Sequence, residues 1–475
     1  MRNGIMLMTL ALFLAGCMVG PDYRRPPVET PLSWRFGDKD VKAVADTPWW
    51  EQFRDPVLND LITSGLEGNK DVKIAAARIE QYMGQYVTTR SAMFPQVSAG
   101  ASVGKERATE RGPSPVSSAV KNPAEIYQAQ FSASWEIDLW GKLRRASEAA
   151  RADILASEES RAGVIMALVS SIAAGYINLR DLDRQLEIAE TTARSREESY
   201  KLFQVRFKGG IVSELELNQI KSQYEEALAS IPGFRNSIAQ QENALSVLLG
   251  RNPGSIPRGK TIDELALPVV PEGLPSDMLE RRPDIRQAEQ ALISANARIG
   301  AAKAQYFPSI SLTGMFGWSS AKLSQLFTGP AETWNWVAPI AAPVFTAGAI
   351  SGQVKSAEAY QKEAVLSYQR TIQNAFRDVE NSLVDRKQTI EELETRTRQV
   401  ESLSNYARIA RLRYENGYTS YLEVLDAERS LFSSQLSHAR TRGNLLLAMV
   451  NLYKAMGGGW VDIAEKKTAP DARGE

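Results

Sequence analysis

The sequence predicts an α+β membrane protein in which each chain brings four membrane-crossing β-strands and a set of very long coiled helices, laid out as an internal tandem duplication. Three observations predict it. Four short stretches alternate apolar and polar residues with period two, two long proline-free stretches carry apolar residues at three-to-four spacing, and the chain matches itself twice in the same order. Four strands are too few to close a barrel, and open strand edges in lipid cost several kcal/mol per unpaired amide, so several chains must share one barrel.

The N-terminus reads as an export segment. A basic start at Arg2 is followed by the apolar run Ile5–Leu14 and then by Ala15, Gly16 and Cys17, too short for a membrane helix and built like a signal peptide over residues 1–16. Leu14-Ala15-Gly16-Cys17 looks like a bacterial lipobox, in which the thiol is acylated and becomes the new N-terminus. An ordinary signal peptide with a chance cysteine is the alternative. Residues 17–48 are proline-rich and predict an extended, lipidated strap; residues 457–475 cannot make a core and predict a flexible tail. Beyond the export segment, no stretch was expected to reach the 18 or so apolar residues of a membrane helix.

Composition narrows the function. The 475 residues hold 56 Lys and Arg against 56 Asp and Glu, which disfavours nucleic-acid coating, and 24% charged residues are too many for a bundle of membrane helices. One cysteine, Cys17, and one histidine, His438, exclude disulfide scaffolds, Cys/His zinc sites and Cys–His nucleophile pairs. With no paired acid/base constellation evident, no catalytic residue, metal or cofactor is expected beyond the covalent lipid on Cys17. A lipid-anchored envelope enzyme and a structural periplasmic coiled coil remain as rival readings.

The first internal match lays Asp71 to Ser98 over Asp284 to Ser311 at a constant offset of 213. The second lays Arg206-Phe207-Lys208-Gly209-Gly210 over Arg413-Tyr414-Glu415-Asn416-Gly417 at an offset of 207, which also carries Gly141 onto Gly348. Two independent matches in order predict a first repeat over 49–250 and a second over 276–456, joined by a Pro-rich connecting segment over 251–275.

Each repeat contains two strands, within 94–138 and 307–346. Tyr127, Ala129, Phe131, Ala133, Trp135 and Ile137 alternate with Gln128, Gln130, Ser132, Ser134, Glu136 and Asp138; Val97, Ala99, Ala101 and Val103 form a second stripe. Ile310, Leu312, Phe316 and Trp318 form the third, and Trp334, Trp336, Ala338, Ile340, Ala342 and Val344 the fourth. Two-faced strands of about ten residues with aromatic ends suit a transmembrane barrel, although a soluble antiparallel sheet with one wet face shows the same alternation. A trimer would supply twelve strands and a dimer eight.

Each repeat then continues into a helical hairpin, 142–249 and 349–456. Leu168, Ile172, Leu179, Leu182, Leu186, Ala189 and Ala193 follow a heptad, which means packing against neighbouring helices. The outgoing helix of some 66 residues spans roughly 100 Å; the return helix and the helix before the first strand together nearly equal it. One long helix beside two shorter ones stacked end to end is therefore expected, with the strands at one end and the hairpin turns at the other. Pro232-Gly233 predicts a local kink in the first return helix.

Residues 49–62, the two Phe-Pro motifs before the strands, Ile137–Lys142 and Asn451–Trp460 complete a pattern that resembles the TolC-like outer-membrane factors, most closely their OprM-like lipoprotein branch. The resemblance implies a homotrimer with a twelve-stranded β-barrel in the outer membrane, lipid-anchored, and a helical tunnel in the periplasm. It implies two partners: a periplasmic adaptor protein and an inner-membrane pump, commonly of the resistance-nodulation-division type. The function it implies is the exit duct of a tripartite efflux system, with the exit duct of a type I protein or peptide secretion system as the alternative.

The family pattern further implies a periplasmic gate at Arg413, Tyr414, Leu422 and Asp426, whose first-repeat counterparts are Arg206, Phe207, Leu215 and Gln219. Arg413 and Tyr414 would bond to neighbouring hairpins and hold the closed state, and three Asp426 carboxylates would favour cations. A solvated cation at Arg413 and plain packing at Leu422 are the simpler readings. Gly209, Gly210, Val212, Ser213, Asn416, Gly417, Thr419 and Ser420 look like adaptor-docking tips, while Gly210 and Gly417 equally suit helix-ending turns. His438 falls opposite Ile231 in the repeat and reads as a packing residue; Glu391, Glu392 and Glu394 read as a solvated helix face.

Overall fold

The computed structural model describes residues 18–37, 48–109, 111, 121–270, 275–457, 460 and 461. The signal peptide, Cys17 and the tail beyond residue 461 lie outside the described residues. Seven helices carry most of the chain: α1 (Pro56–Gly68), α2 (Lys70–Ser91), α3 (Lys142–Lys208), α4 (Glu214–Leu248), α5 (Pro283–Ala304), α6 (Ala349–Glu415) and α7 (Tyr421–Ala455). The strands are β1 (Gln96–Glu106), β2 (Ala124–Ile137), β3 (Ser309–Ser320), β4 (Glu332–Val337) and the two-residue β5 (Ile340–Ala341). Helices in corresponding places match in length: 22 residues in α2 and α5, 67 in α3 and α6, and 35 in α4 and α7.

The chain divides into two compact units. The first draws on residues up to 27, 78–157 and 287–368 and contains the sheet. Its strands run in the order β1-β2-β3-β4, antiparallel throughout, with β5 also pairing β3. Register puts Ala99 opposite Phe131, Phe131 opposite Phe316 and Phe316 opposite Trp334, so the apolar stripes of all four strands share one face. The other face carries Ser98 opposite Ser132 and Ser134 opposite Thr313. Both outer edges stay open among the described residues, and β1 is exposed along its whole length.

The fourth stripe is shorter than the alternation suggested. The ladder stops at Val337 and resumes only at Ile340 and Ala341, in unchanged register against β3. Pro339 lies in the gap and has no N–H to donate, although its carbonyl still accepts from Ser311 at 3.2 Å. Ala342 and Val344 fall beyond the paired residues.

In the same unit the strap residues Val19–Arg25 are extended and docked onto α3 and α5. Val19 N–H donates to the Trp140 carbonyl at 3.0 Å, and Asn296 Nδ2 donates to the Pro21 carbonyl at 2.9 Å. The buried Arg145 donates to Asp22 at 2.7 Å, and Arg25 grips Glu289 with two bonds of 2.7 and 2.6 Å. Gly20, at φ +104°, lies so close to Gly300 that a Cβ there would come within 2.4 Å of the Gly300 Cα, so only glycine fits.

The second unit draws on residues 28–77, 158–286 and from 369 onward. Its core opens on the buried Trp49, which stacks on Tyr453 at 5.4 Å and meets Trp460 edge-on at 6.2 Å. Trp460 was expected in the flexible tail; it is fully buried instead, because its ring completes this aromatic cluster. Asp55 is also fully buried. Its carboxylate caps α1 through Val57 N–H, and it accepts from the Tyr176 hydroxyl at 2.7 Å and from Lys260 N–H at 3.0 Å. That bond pushes up the Tyr176 pKa, after burial as the larger cause.

Helix α3 corrects one expectation. It contains an apolar, nearly uncharged stretch that is long enough, by length and composition, to cross a bilayer. Ile165, Val169, Ile172, Tyr176 and Ile177 from this region are fully buried, so the stretch serves the core of its unit. The short helices meet end to end as expected. Asn69 caps α2 by accepting from Asp71 and Val72 N–H, and its Nδ2 donates to Leu248 O, at the end of α4, at 2.9 Å. In the second repeat Arg282, just before α5, donates to Ala455 O, at the end of α7, at 2.9 Å. Helix α4 runs on through Pro232; the missing N–H leaves the Leu228 carbonyl without its helical donor.

Candidate functional site

The two helical hairpins, α3–α4 and α6–α7, turn in the same way. In the first, Gly210 N–H donates to Phe207 O and Ile211 N–H to Arg206 O, both at 2.9 Å. In the second, Gly417 N–H donates to Tyr414 O at 2.9 Å and Tyr418 N–H to Arg413 O at 2.8 Å. Both are Schellman endings, and Gly210 at φ +69° and Gly417 at φ +77° supply the left-handed residue. Ser213 then starts α4 with a full capping box to Glu216. Ser420 makes no side-chain cap; Thr419 hydrogen-bonds Glu423 instead. Among the tip residues, Gly209, Gly210, Ser213, Asn416, Gly417 and Ser420 are exposed, whereas Val212 and Thr419 are half-buried. Val212 packs against the core beneath the tips.

That core is aromatic. Phe203 is buried against Tyr421 at 4.4 Å and against Tyr414 at 6.0 Å, and Tyr414 meets Tyr421 edge-on at 4.9 Å. Burial pushes the Tyr421 pKa up to about 12, so its hydroxyl stays protonated. Arg206 Nη1 donates to the Tyr414 hydroxyl at 3.3 Å, and its guanidinium lies over the Phe203 ring at 5.6 Å. Tyr414 is therefore tied to the other hairpin of its own chain. Arg413 turns the other way: 54% exposed, it approaches Glu423 of its own hairpin at 4.0 Å.

Leu215 and Gln219 from α4 and Leu422 and Asp426 from α7 line one open groove of about 400 Å³. Leu215 and Leu422 are 68% and 60% exposed, so neither packs into the core of its own chain. Phe207 is likewise exposed and lies outside the groove-lining set. Asp426 does not stand alone: Arg429 Nη2 donates to it at 3.0 Å. Arg429, Arg206 as a bond donor, Phe203 and Tyr421 were missed as site residues. Only the Asp426–Arg429 spacing of three along one helix was readable beforehand.

Two further side chains sit elsewhere in this unit. His438 is half-buried, with Nε2 3.2 Å from Thr397 Oγ1, and burial lowers its pKa. Glu392 accepts from Arg396 at 3.3 Å and from Thr441 at 3.4 Å. Among the described residues, no group of three or more His, Cys, Asp or Glu side chains could hold a metal ion.

Comparison with known proteins gives the class to which this fold belongs. The outer membrane efflux protein family model matches residues 61–251 and 274–458. The toluene efflux pump outer membrane protein TtgC of Pseudomonas putida is 36% identical over 474 residues, covering 97% of this chain and 96% of that protein. The cation efflux system protein CusC of Escherichia coli is 36% identical over 462 residues, covering 95% and 97%. The open state of the Neisseria gonorrhoeae MtrE outer membrane channel aligns at a TM-score of 0.84 with 31% identity, covering 94% of this chain and 99% of that one. The chain belongs to the outer membrane efflux protein family. It is the outer-membrane channel component of an efflux system.

Proposed function

We propose that three copies of this chain pool their strands into one twelve-stranded barrel and their long helices into a periplasmic tunnel. The observation that carries this reading is the open sheet: four strands, two free edges and one continuous apolar face. Threefold closure pairs every edge and turns the apolar face to lipid. The equal lengths of corresponding helices support the tandem duplication.

Arg413, Tyr414, Leu422 and Asp426 act as the gate, with Arg206, Phe207, Leu215 and Gln219 beside them. Arg206 and Tyr414 couple the two hairpins of each chain, and the exposed Leu215 and Leu422 meet their equivalents across the axis when the tips close. The Arg429 partner tempers the cation preference of an Asp426 ring. The exposed glycine tips receive a periplasmic adaptor, and an inner-membrane pump of the resistance-nodulation-division type supplies the energy; the chain itself performs no covalent chemistry. Cys17 carries the lipid anchor. Relatives named for toluene and for cation efflux stand at equal identity, which fits a duct whose wall discriminates little.

The gate is tested in planar bilayers. Tyr414→Phe combined with Arg413→Ser should raise single-channel conductance; an unchanged conductance would remove these residues from the gate.

A further inference from the structure

We propose that an apolar notch on the outer face of the sheet seats an acyl chain carried by Cys17. This rests on the reading of Cys17 as acylated and adds to it a defined place for the lipid.

The notch, of about 380 Å³, is lined by Pro95, Ala133, Trp135, Leu312, Gly314 and Trp336, together with residues 134 and 313 behind them. Its shape follows from register. Ala133 pairs with Gly314 and Trp336 pairs with Gly314, so two residues with almost no side chain lie next to one another on the apolar face. Trp135 and Leu312, themselves a pair, form one wall, and Phe131 and Phe316 stand one pair further on at the other. The Trp135 ring is fixed, because its Nε1 donates to the Met93 carbonyl at 2.9 Å. The result is a bare strip between bulky side chains, with almost no polar surface, which suits a hydrocarbon chain.

The first described residue after the attachment point is anchored on the same unit. Met18, the neighbour of Cys17, packs on Gly141, where an added Cβ would come within 2.9 Å of Met18 Cγ. Gly141 follows Trp140, whose carbonyl receives Val19 N–H and whose ring stacks on Phe307 at 4.7 Å. The Arg145–Asp22 and Arg25–Glu289 bonds fix the strap further along. Trp135 precedes Trp140 by five residues, at most about 18 Å of chain. An acyl chain fills one leaflet, half of a hydrocarbon core of roughly 30 Å, a reach comparable to this interval. Tethering makes the seating intramolecular, so the lipid on Cys17 outcompetes free lipid at this place.

The test feeds cells a palmitic acid analogue with a diazirine at its far end, then photolyses the purified full-length protein. Mass analysis of the N-terminal peptide first reports whether Cys17 carries the probe; a bare cysteine would overturn the acylation reading and this proposal with it. With Cys17 labelled, cross-links are expected to peptides holding Ala133–Trp135 or Leu312–Gly314. Gly314→Leu should cut that yield by roughly tenfold while leaving the acyl mass and channel conductance intact. A Cβ at Gly314 meets only Asn335 O, at 3.9 Å, so the fold tolerates the change; Ala133→Phe gives a second filling variant. Labelled protein with cross-links spread evenly over the sheet, or a yield untouched by both variants, would overturn the seat alone.

Discussion

At the helix tips the Asp426 carboxylate is met one turn along α7 by Arg429, at 3.0 Å, and this pairing decides how a ring of such residues would act on ions. Both side chains are more than half exposed, so the pair contributes little stability and mainly sets the local field. Arg429→Gln should therefore raise the preference for cations and Asp426→Asn should lower it, read as opposite shifts of reversal potential across a KCl gradient; shifts in the same direction would contradict the pairing. Phe203 is the packing centre, and Phe203→Ala should cost about 3–5 kcal/mol locally, seen as faster amide exchange in both hairpins. His438 titrates in the opposite sense to a stabilising cation. Its pKa is lowered by burial, so the unfolded chain takes up the proton first and stability is lost as pH falls below about 6.5. His438→Asn should flatten the melting temperature between pH 7.5 and 5.5. Tyr414 and Asp426 entered as candidates through the family resemblance, and the internal match adds only that Phe207 and Gln219 stand at those positions in the first repeat. The Arg206–Tyr414 bond was not, because 208 residues separate its partners and periodicity says nothing about which helices touch.

Helices and strands were legible wherever one period dominates. The heptad of α3 and the alternation in β1, β2 and β3 each follow from burial of one face. The fourth strand was overdrawn, because apolar alternation runs on unbroken to Val344 while the ladder is interrupted around Pro339 and ends at Ala341. The strap was legible as extended from its prolines, but its docking depends on Glu289, Asn296 and Gly300, which lie far along the chain. Where helices abut, one side chain serves two ends: Asn69, buried, caps α2 and donates to the last turn of α4. Asn69→Ala removes the cap and leaves a helix-end carbonyl without its donor, so it should destabilise the protein by about 2 kcal/mol, a drop in melting temperature that Asn69→Asp recovers in part.

For the molecule as a whole, the sheet-bearing unit carries the proposal that several chains share one barrel. Its apolar face exposes Phe131, Phe316, Trp334 and Trp336, and among the described residues β1 and β4 are unpaired on their outer sides. Water and lipid both penalise that arrangement, the first through apolar exposure and the second through unpaired amides. Strand number was legible from alternation; the number of chains entered only through family resemblance, since eight strands close a barrel as well as twelve. The long apolar stretch inside α3 is interrupted by Ser170 and Ser171, and its burial shows that hydropathy alone does not separate core from membrane. The most direct test is the mass of the detergent-extracted protein by native mass spectrometry. Release of a species of three 52.4 kDa chains, less the signal peptide and with three lipids, is the expected result; a stable single chain or a pair would contradict the shared barrel of three.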